Sequence, residues 1–172
     1  MAMHIEKSGI DLAAIYRPLN NNFLNPIMEN VRKKYICKKQ IKKGISGTKD
    51  LLKYFRSGTS IALMIDQRVS EGINCKFFGQ EALTTTIPAQ FVKKFNCKIV
   101  PVYITRKKDN NFKLKIFKPL SFSNNHNIET ITLALNSVLE KMIMENPGQW
   151  IWTHNRWKSV SYTHLRAHET RT

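Results

Sequence analysis

The stretch SIALMIDQRVSEGINCKFFGQEALTTT (residues 60–86) decides how the chain folds, because it joins an unbroken apolar run to a carboxylate and then to a long polar segment. Ser60 to Ile65 has the composition of a buried strand. Asp66 and Gln67 follow directly and project at its carboxyl end, where open α/β sheets place ligand sites. Asp66 reads either as a ligand-site carboxylate or as a turn cap. From Asp66 to Thr86 the chain reads as a loop. Gly72 and Gly79 give it flexibility, and Phe77 and Phe78 need an apolar surface to pack on.

Elements alternate outward from that strand. Ile10 to Tyr16 reads as a strand, broken by Arg17-Pro18 and a run of asparagines. A helix is predicted from about Pro26 to Lys34, with proline in its first turn. The lysine pairs at 38–39 and 42–43 read as a connector. Thr48 to Arg56 reads as a helix with Gly58 as its stop. Beyond the loop, Pro88 to Phe95 has a helical apolar pattern, Lys98 to Thr105 returns as a strand, and Lys107 to Asn111 turns into a half-exposed edge strand over 112–117. Apolar residues at 128, 131, 135, 138, 139 and 142 predict the longest helix, 128–145, ended by Asn146-Pro147-Gly148. The alternation predicts an α/β fold, a mixed sheet sandwiched by helices.

Composition narrows the classes. The chain has 172 residues, 42% of them hydrophobic, with 28 Lys and Arg against 12 Asp and Glu, so its formal charge is +16. Such a surplus points to anionic partners, whether nucleic acid, a phospholipid surface or an acidic protein. Three widely spaced cysteines without CxxC spacing argue against a disulfide framework and a zinc site. No apolar run reaches the roughly 20 residues that span a bilayer. Neither a metal nor a cofactor is expected.

Both termini stand apart. Residues 160–170, VSYTHLRAHET, resemble in frame the translation of a transposase adapter used in preparing sequencing libraries. The segment 160–172 is therefore expected to be a non-native tail, and His164, His168 and Glu169 are not read as a metal site. Without it the balance is 26 basic against 11 acidic residues, or +15. At the front, a core strand begins almost at once, so an upstream part is expected to be missing and the fold to be incomplete at the N-terminus.

Candidate chemistry lies at three places. Asp66 and Gln67 end the central strand. Arg17 and Arg32 flank the first loop and helix, and an arginine fork suits phosphate or carboxylate; two solvated surface arginines are the alternative. All three tryptophans fall in WIWTHNRWK (residues 150–158). That segment reads as a membrane-interface belt or as a strand edge packed on the core. His154 reads as a structural histidine, and His4 is assigned no role.

In order, YRPLNN (residues 16–21), Arg32, Asp66-Gln67, GINCKFFGQEALTTT, KIVPVYI and PGQWIWTHNRWK resemble the bacterial lipid A biosynthesis acyltransferases. These are the late lauroyl and myristoyl transferases, related to mycobacterial phosphatidylinositol mannoside acyltransferases. The resemblance runs from about Ile10 to Lys158, so residues 1–159 are taken as a partial acyltransferase domain. It implies transfer of a fatty acyl group from acyl carrier protein to a hydroxyl of a lipid A precursor at the cytoplasmic face of the inner membrane. The chain as written would be peripheral there, its native form anchored by a missing N-terminal helix.

In members of that family the histidine of an HX4D/E motif deprotonates the acceptor hydroxyl and the acidic residue orients the histidine. The resemblance places that motif just before Met1, and no histidine in residues 1–159 has an acid five positions on. The chain alone is therefore expected to be inactive. By the same resemblance Arg32 and Asp66 support the catalytic pair, while Arg17, Gln67, Phe77, Phe78 and Thr85 contact or frame the substrate, with Phe77 and Phe78 beside the acyl entrance. The rival from another class is a non-catalytic basic module binding nucleic acid or an anionic membrane. Against it, the lysines are spread over nearly every element. Nucleic acid is not an expected partner.

Overall fold

Alternating strands and helices build an α/β fold, in which parallel and antiparallel strands occupy separate small sheets. The structure, a computed structural model, describes residues 1–158, apart from the side chains of residues 45 and 46. It divides into two compact units, Met1–Met64 and a second from Ile65 onward.

The first unit is a β-α-β-α-β run preceded by a short helix α1 (Ala2–Lys7). Strand β1 (Leu12–Tyr16) is central, and β2 (Lys39–Lys42) and β3 (Ser60–Ala62) pair with it in parallel on either side. Helices α2 (Leu24–Tyr35) and α3 (Ile45–Arg56) make the two crossovers that parallel strands require. Leu12, Ala13, Cys37, Ile41 and Leu51 are its buried apolar residues. Near the strand starts, Lys39 Nζ and Thr59 Oγ1 both donate to Asp11 Oδ2, at 2.6 and 2.8 Å, tying all three strands together.

Two expectations change here. The lysines read as a connector form β2, whose one fully buried side chain is Ile41. Strand β3 stops at Ala62, so residues 63–65 leave the sheet before Asp66 is reached.

The second unit holds two hairpins and two helices. The segment read as a flexible loop is largely the hairpin of β4 (Ile73–Phe77) and β5 (Gln80–Thr84), in register from Ile73 opposite Thr84 to Phe77 opposite Gln80. Its two-residue turn, Phe78-Gly79, has φ of +49° and +76°, the sign of a turn that matches strand twist. Gly72 is packed, not loose: a Cβ there would run into the Thr84 carbonyl.

Helix α4 (Ile87–Phe95) starts with proline in its first turn and ends at Asn96 in the left-handed region. Strands β6 (Val102–Arg106) and β7 (Phe112–Ile116) pair antiparallel. Helix α5 (Ile128–Glu145) has the predicted bounds, because Asn127 Oδ1 caps the Thr130 N–H at 2.8 Å and Asn146-Pro147 halts it. It packs on α4 through Ala89, Val92, Ile131 and Leu135, and on β4 and β5 around Phe77, Ala82 and Ile143. All three cysteines are free.

Candidate functional site

In the first unit, the YRP stretch and α2 build a polar corner. Tyr16 ends β1, and its hydroxyl donates to Glu29 Oε1 at 2.8 Å. Asn25 Nδ2 donates to the same oxygen at 2.8 Å, and Lys42 Nζ lies 3.1 Å from it. The Tyr16 hydroxyl, with Lys42 and Asn25, holds the Glu29 carboxyl down at about 2, so it is anionic. Burial, then the Glu29 hydrogen bond, pushes the Tyr16 phenol up to about 12, so it stays a donor.

Arg32 lies one turn beyond Glu29, with its guanidinium 4.9 Å above the Tyr16 ring. Its Nη1 is buried without a protein acceptor. An unpaired buried donor of this kind costs about 1–3 kcal/mol, which an anionic acceptor would offset. Arg17 is exposed and has no hydrogen bond or ion pair among the described residues. Arg32 thus stacks on the Tyr16 ring, whereas Arg17 is open to solvent.

In the second unit, the polar centre is Arg156, which composition gave no reason to place inside. It is 0% exposed, with Nη1 2.5 Å from the Leu83 carbonyl, Nη2 2.8 Å from Thr84 Oγ1, and its guanidinium 5.1 Å above the Phe77 ring. Asn136 on α5 donates to the Lys76 carbonyl at 3.0 Å and to Thr84 Oγ1 at 3.3 Å. Thr84 is thereby the shared acceptor of a buried network that joins β4, β5, α5 and the C-terminal segment. Arg156 Nε and Asn136 Oδ1 remain without partners. Burial lowers the Arg156 pKa from the ordinary arginine value, and the negative charge of Asp66 opposes that shift.

The residues singled out from sequence divide around this centre. Asp66 is half-buried and acts on Arg156 through its charge, while Gln67 is exposed. Phe77 is fully buried, its ring 4.9 Å from Phe78, 5.9 Å from Trp150 and 5.7 Å from Trp157. Phe78, half-buried at the hairpin turn, donates its N–H to Glu140 Oε1 at 2.6 Å. Thr85 is buried at the entry to α4, its hydroxyl 3.4 Å from the Ile87 nitrogen.

WIWTHNRWK forms turns rather than the expected strand edge, but Trp150 and Trp157 do pack on the core, and the Trp157 indole Nε1 donates to the Phe77 carbonyl at 3.1 Å. Trp152 is exposed. His154 Nε2 accepts the Arg68 N–H at 3.0 Å, and Arg68 Nε donates to the Lys158 carbonyl at 2.8 Å. Residues 154–158 therefore brace the loop that carries Asp66.

Sequence reasoning passed over Tyr16, Glu29, Asn136 and Arg156. Glu29 had one local signal, its place on the same helical face as Asn25 and Arg32. Arg156 had none, since only the folded hairpin shows that its guanidinium is enclosed.

Among the described residues no group of histidine, cysteine or carboxylate side chains could hold a metal ion, and no helix is long and apolar enough to cross a membrane. By count, the HX4D/E spacing occurs once, at His164 and Glu169. These lie outside the described residues, at the opposite end of the chain from the place the resemblance gives the motif.

A search of curated proteins finds no match. The family model for bacterial lipid A biosynthesis acyltransferases matches residues 1–159, and the chain belongs to that family.

Proposed function

We propose that this acyltransferase chain serves transfer of a fatty acyl group from acyl carrier protein to a hydroxyl of a lipid A precursor at the cytoplasmic face of the inner membrane. The observation that carries the reading is the corner of Tyr16, Glu29 and Arg32. A guanidinium is fixed above a neutral phenol while one of its nitrogens has no protein acceptor. Such a group can meet a substrate phosphate, or the charge that develops on a carbonyl oxygen in acyl transfer. Glu29, already engaged by three donors, is not available as a base.

The chain's own part in the reaction is then binding and orientation. In the first unit Arg32 takes the anionic group and Arg17 is exposed to solvent; in the second unit Gln67 is exposed and the charge of Asp66 acts on Arg156. The +16 surplus favours both an acidic carrier protein and a phosphorylated lipid. No residue of 1–158 is assigned the removal of the hydroxyl proton.

The test presents residues 1–172 with acyl-loaded carrier protein, with a bisphosphorylated lipid A precursor in detergent micelles, and with a random oligonucleotide. Saturable binding of the first two with no acyl transfer is expected. Binding of the oligonucleotide in preference to both would sink the reading in favour of a nucleic-acid module, and turnover would sink the restriction to binding.

A further inference from the structure

We propose that the outward face of α2 is a docking surface for an anionic lipid bilayer. The helix is turned the unusual way round. Its residues that are not exposed are Asn25, Met28, Glu29 and Arg32, so the polar side faces the sheet through Tyr16 and Lys42. Leu24, Ile27, Val31 and Tyr35 recur at spacings of three and four and form one stripe. That stripe points away from the unit. Ile27 is 60% exposed, Tyr35 56% and Leu24 51%, and Phe23 immediately before the helix is 89% exposed.

Burying such residues is normally worth about 1.5–3 kcal/mol each, so an ordered helix that leaves a row of them in water marks a contact surface. At its start Asn21 Oδ1 accepts the Phe23 and Leu24 N–H groups at 2.9 and 3.1 Å.

Charge selects the occupant. The outward residues of α2 include Lys33 and Lys34 and no acid, because the helix's single carboxylate, Glu29, faces inward and is bound. Lys34 Nζ lies 5.2 Å over the Tyr35 ring, placing a cation at the rim of the stripe. Apolar and aromatic residues along one face with lysines beside them suit a helix lying in the headgroup layer of an anionic membrane. A second copy fits less well, since an isologous contact would gather Lys33 and Lys34 of both helices into one interface with no outward acid of α2 to offset them.

The inference deepens the membrane-facing part of the proposed function and rests on that reading for the bilayer's identity. Its test is sedimentation of residues 1–172 with vesicles of phosphatidylcholine alone and of phosphatidylcholine with phosphatidylglycerol in equal parts, at low and high salt. Binding to the anionic vesicles that weakens with salt is expected. The double variant Ile27→Asp, Val31→Asp should lower it about tenfold or more. Ile116→Asp, which alters an exposed apolar residue of β7, should not.

Lys33→Ser with Lys34→Ser should reduce the preference for phosphatidylglycerol, and decides the matter if the aspartate variant fails to fold. Unchanged vesicle binding by these variants would overturn the inference, as would a dimer that the aspartate variant separates. Precursor binding in micelles reports on the proposed function separately, because it needs no bilayer. Its loss alone would leave the α2 surface standing.

Discussion

Replacing Arg156 by methionine should destabilise the second unit by about 3 kcal/mol. The change removes a charged donor from the Leu83 carbonyl and Thr84 Oγ1, two bonds each worth about 1.5–3 kcal/mol in net terms. It leaves both acceptors buried, and the ring of Phe77 loses its cation. Against this stands relief of burying a guanidinium, which is why some buried ions are replaced by apolar side chains at no cost. Here the loss outweighs the relief, because the acceptors belong to backbone and to a threonine that remain enclosed.

The tryptophans at 150, 152 and 157 all lie at the end of this unit, so their fluorescence reports its unfolding in urea. The midpoint should fall with little change in slope, and the melting temperature should drop by roughly 10 °C. Arg156→Lys keeps the charge but not the fork and should recover about half. Thr84→Val should cost less in the methionine background than alone, since both substitutions break one network. A methionine variant that unfolds at or above the wild-type midpoint would show that the buried Arg156 bonds do not stabilise this unit.

Three further outcomes are expected. Glu29 is depressed to about 2 from an ordinary 4.5, so its stabilising contribution is present above pH 4.5 and is lost as pH falls through about 2. Circular dichroism melts across that acid range should show the loss in the wild type and not in Glu29→Gln. Phe78 has φ +49°, so Phe78→Val should be less stable than Phe78→Asn by about 1 kcal/mol in urea titration, since asparagine tolerates that conformation. Gly72→Ala would drive its Cβ into the Thr84 carbonyl and should cost about 2 kcal/mol or more, read from the same fluorescence transition.

Helix α5 could be read to the residue, because its apolar spacing and its Asn-Pro-Gly stop agree. Helices α3 and α4 and the β6–β7 hairpin were legible for similar local reasons. Strand β2 was not, since Lys-Gln-Ile-Lys shows almost no apolar pattern and owes its conformation to hydrogen bonds with β1, far away in sequence. The β4–β5 hairpin hid behind its turn, where a phenylalanine takes the left-handed position usually marked by asparagine or glycine.

The candidate site divides the same way. Periodicity could reveal that α2 has an apolar and a polar face, but not that the polar face is turned inward, because that depends on Tyr16 and Lys42 meeting Glu29. The types and order of Arg32 and Asp66 were visible in the sequence. The enclosure of Arg156 depends on residues more than seventy positions apart, Leu83 and Thr84.

The role of Arg32 as the anion-binding group is measured most directly by the affinity of residues 1–172 and of Arg32→Gln for a lipid A precursor in micelles, with its phosphates present and removed. The wild-type chain should prefer the phosphorylated form, and Arg32→Gln should lose that preference by about tenfold or more while melting like the wild type. Equal affinity of the two proteins for the phosphorylated precursor, or equal affinity of the wild type for both forms, would contradict that role.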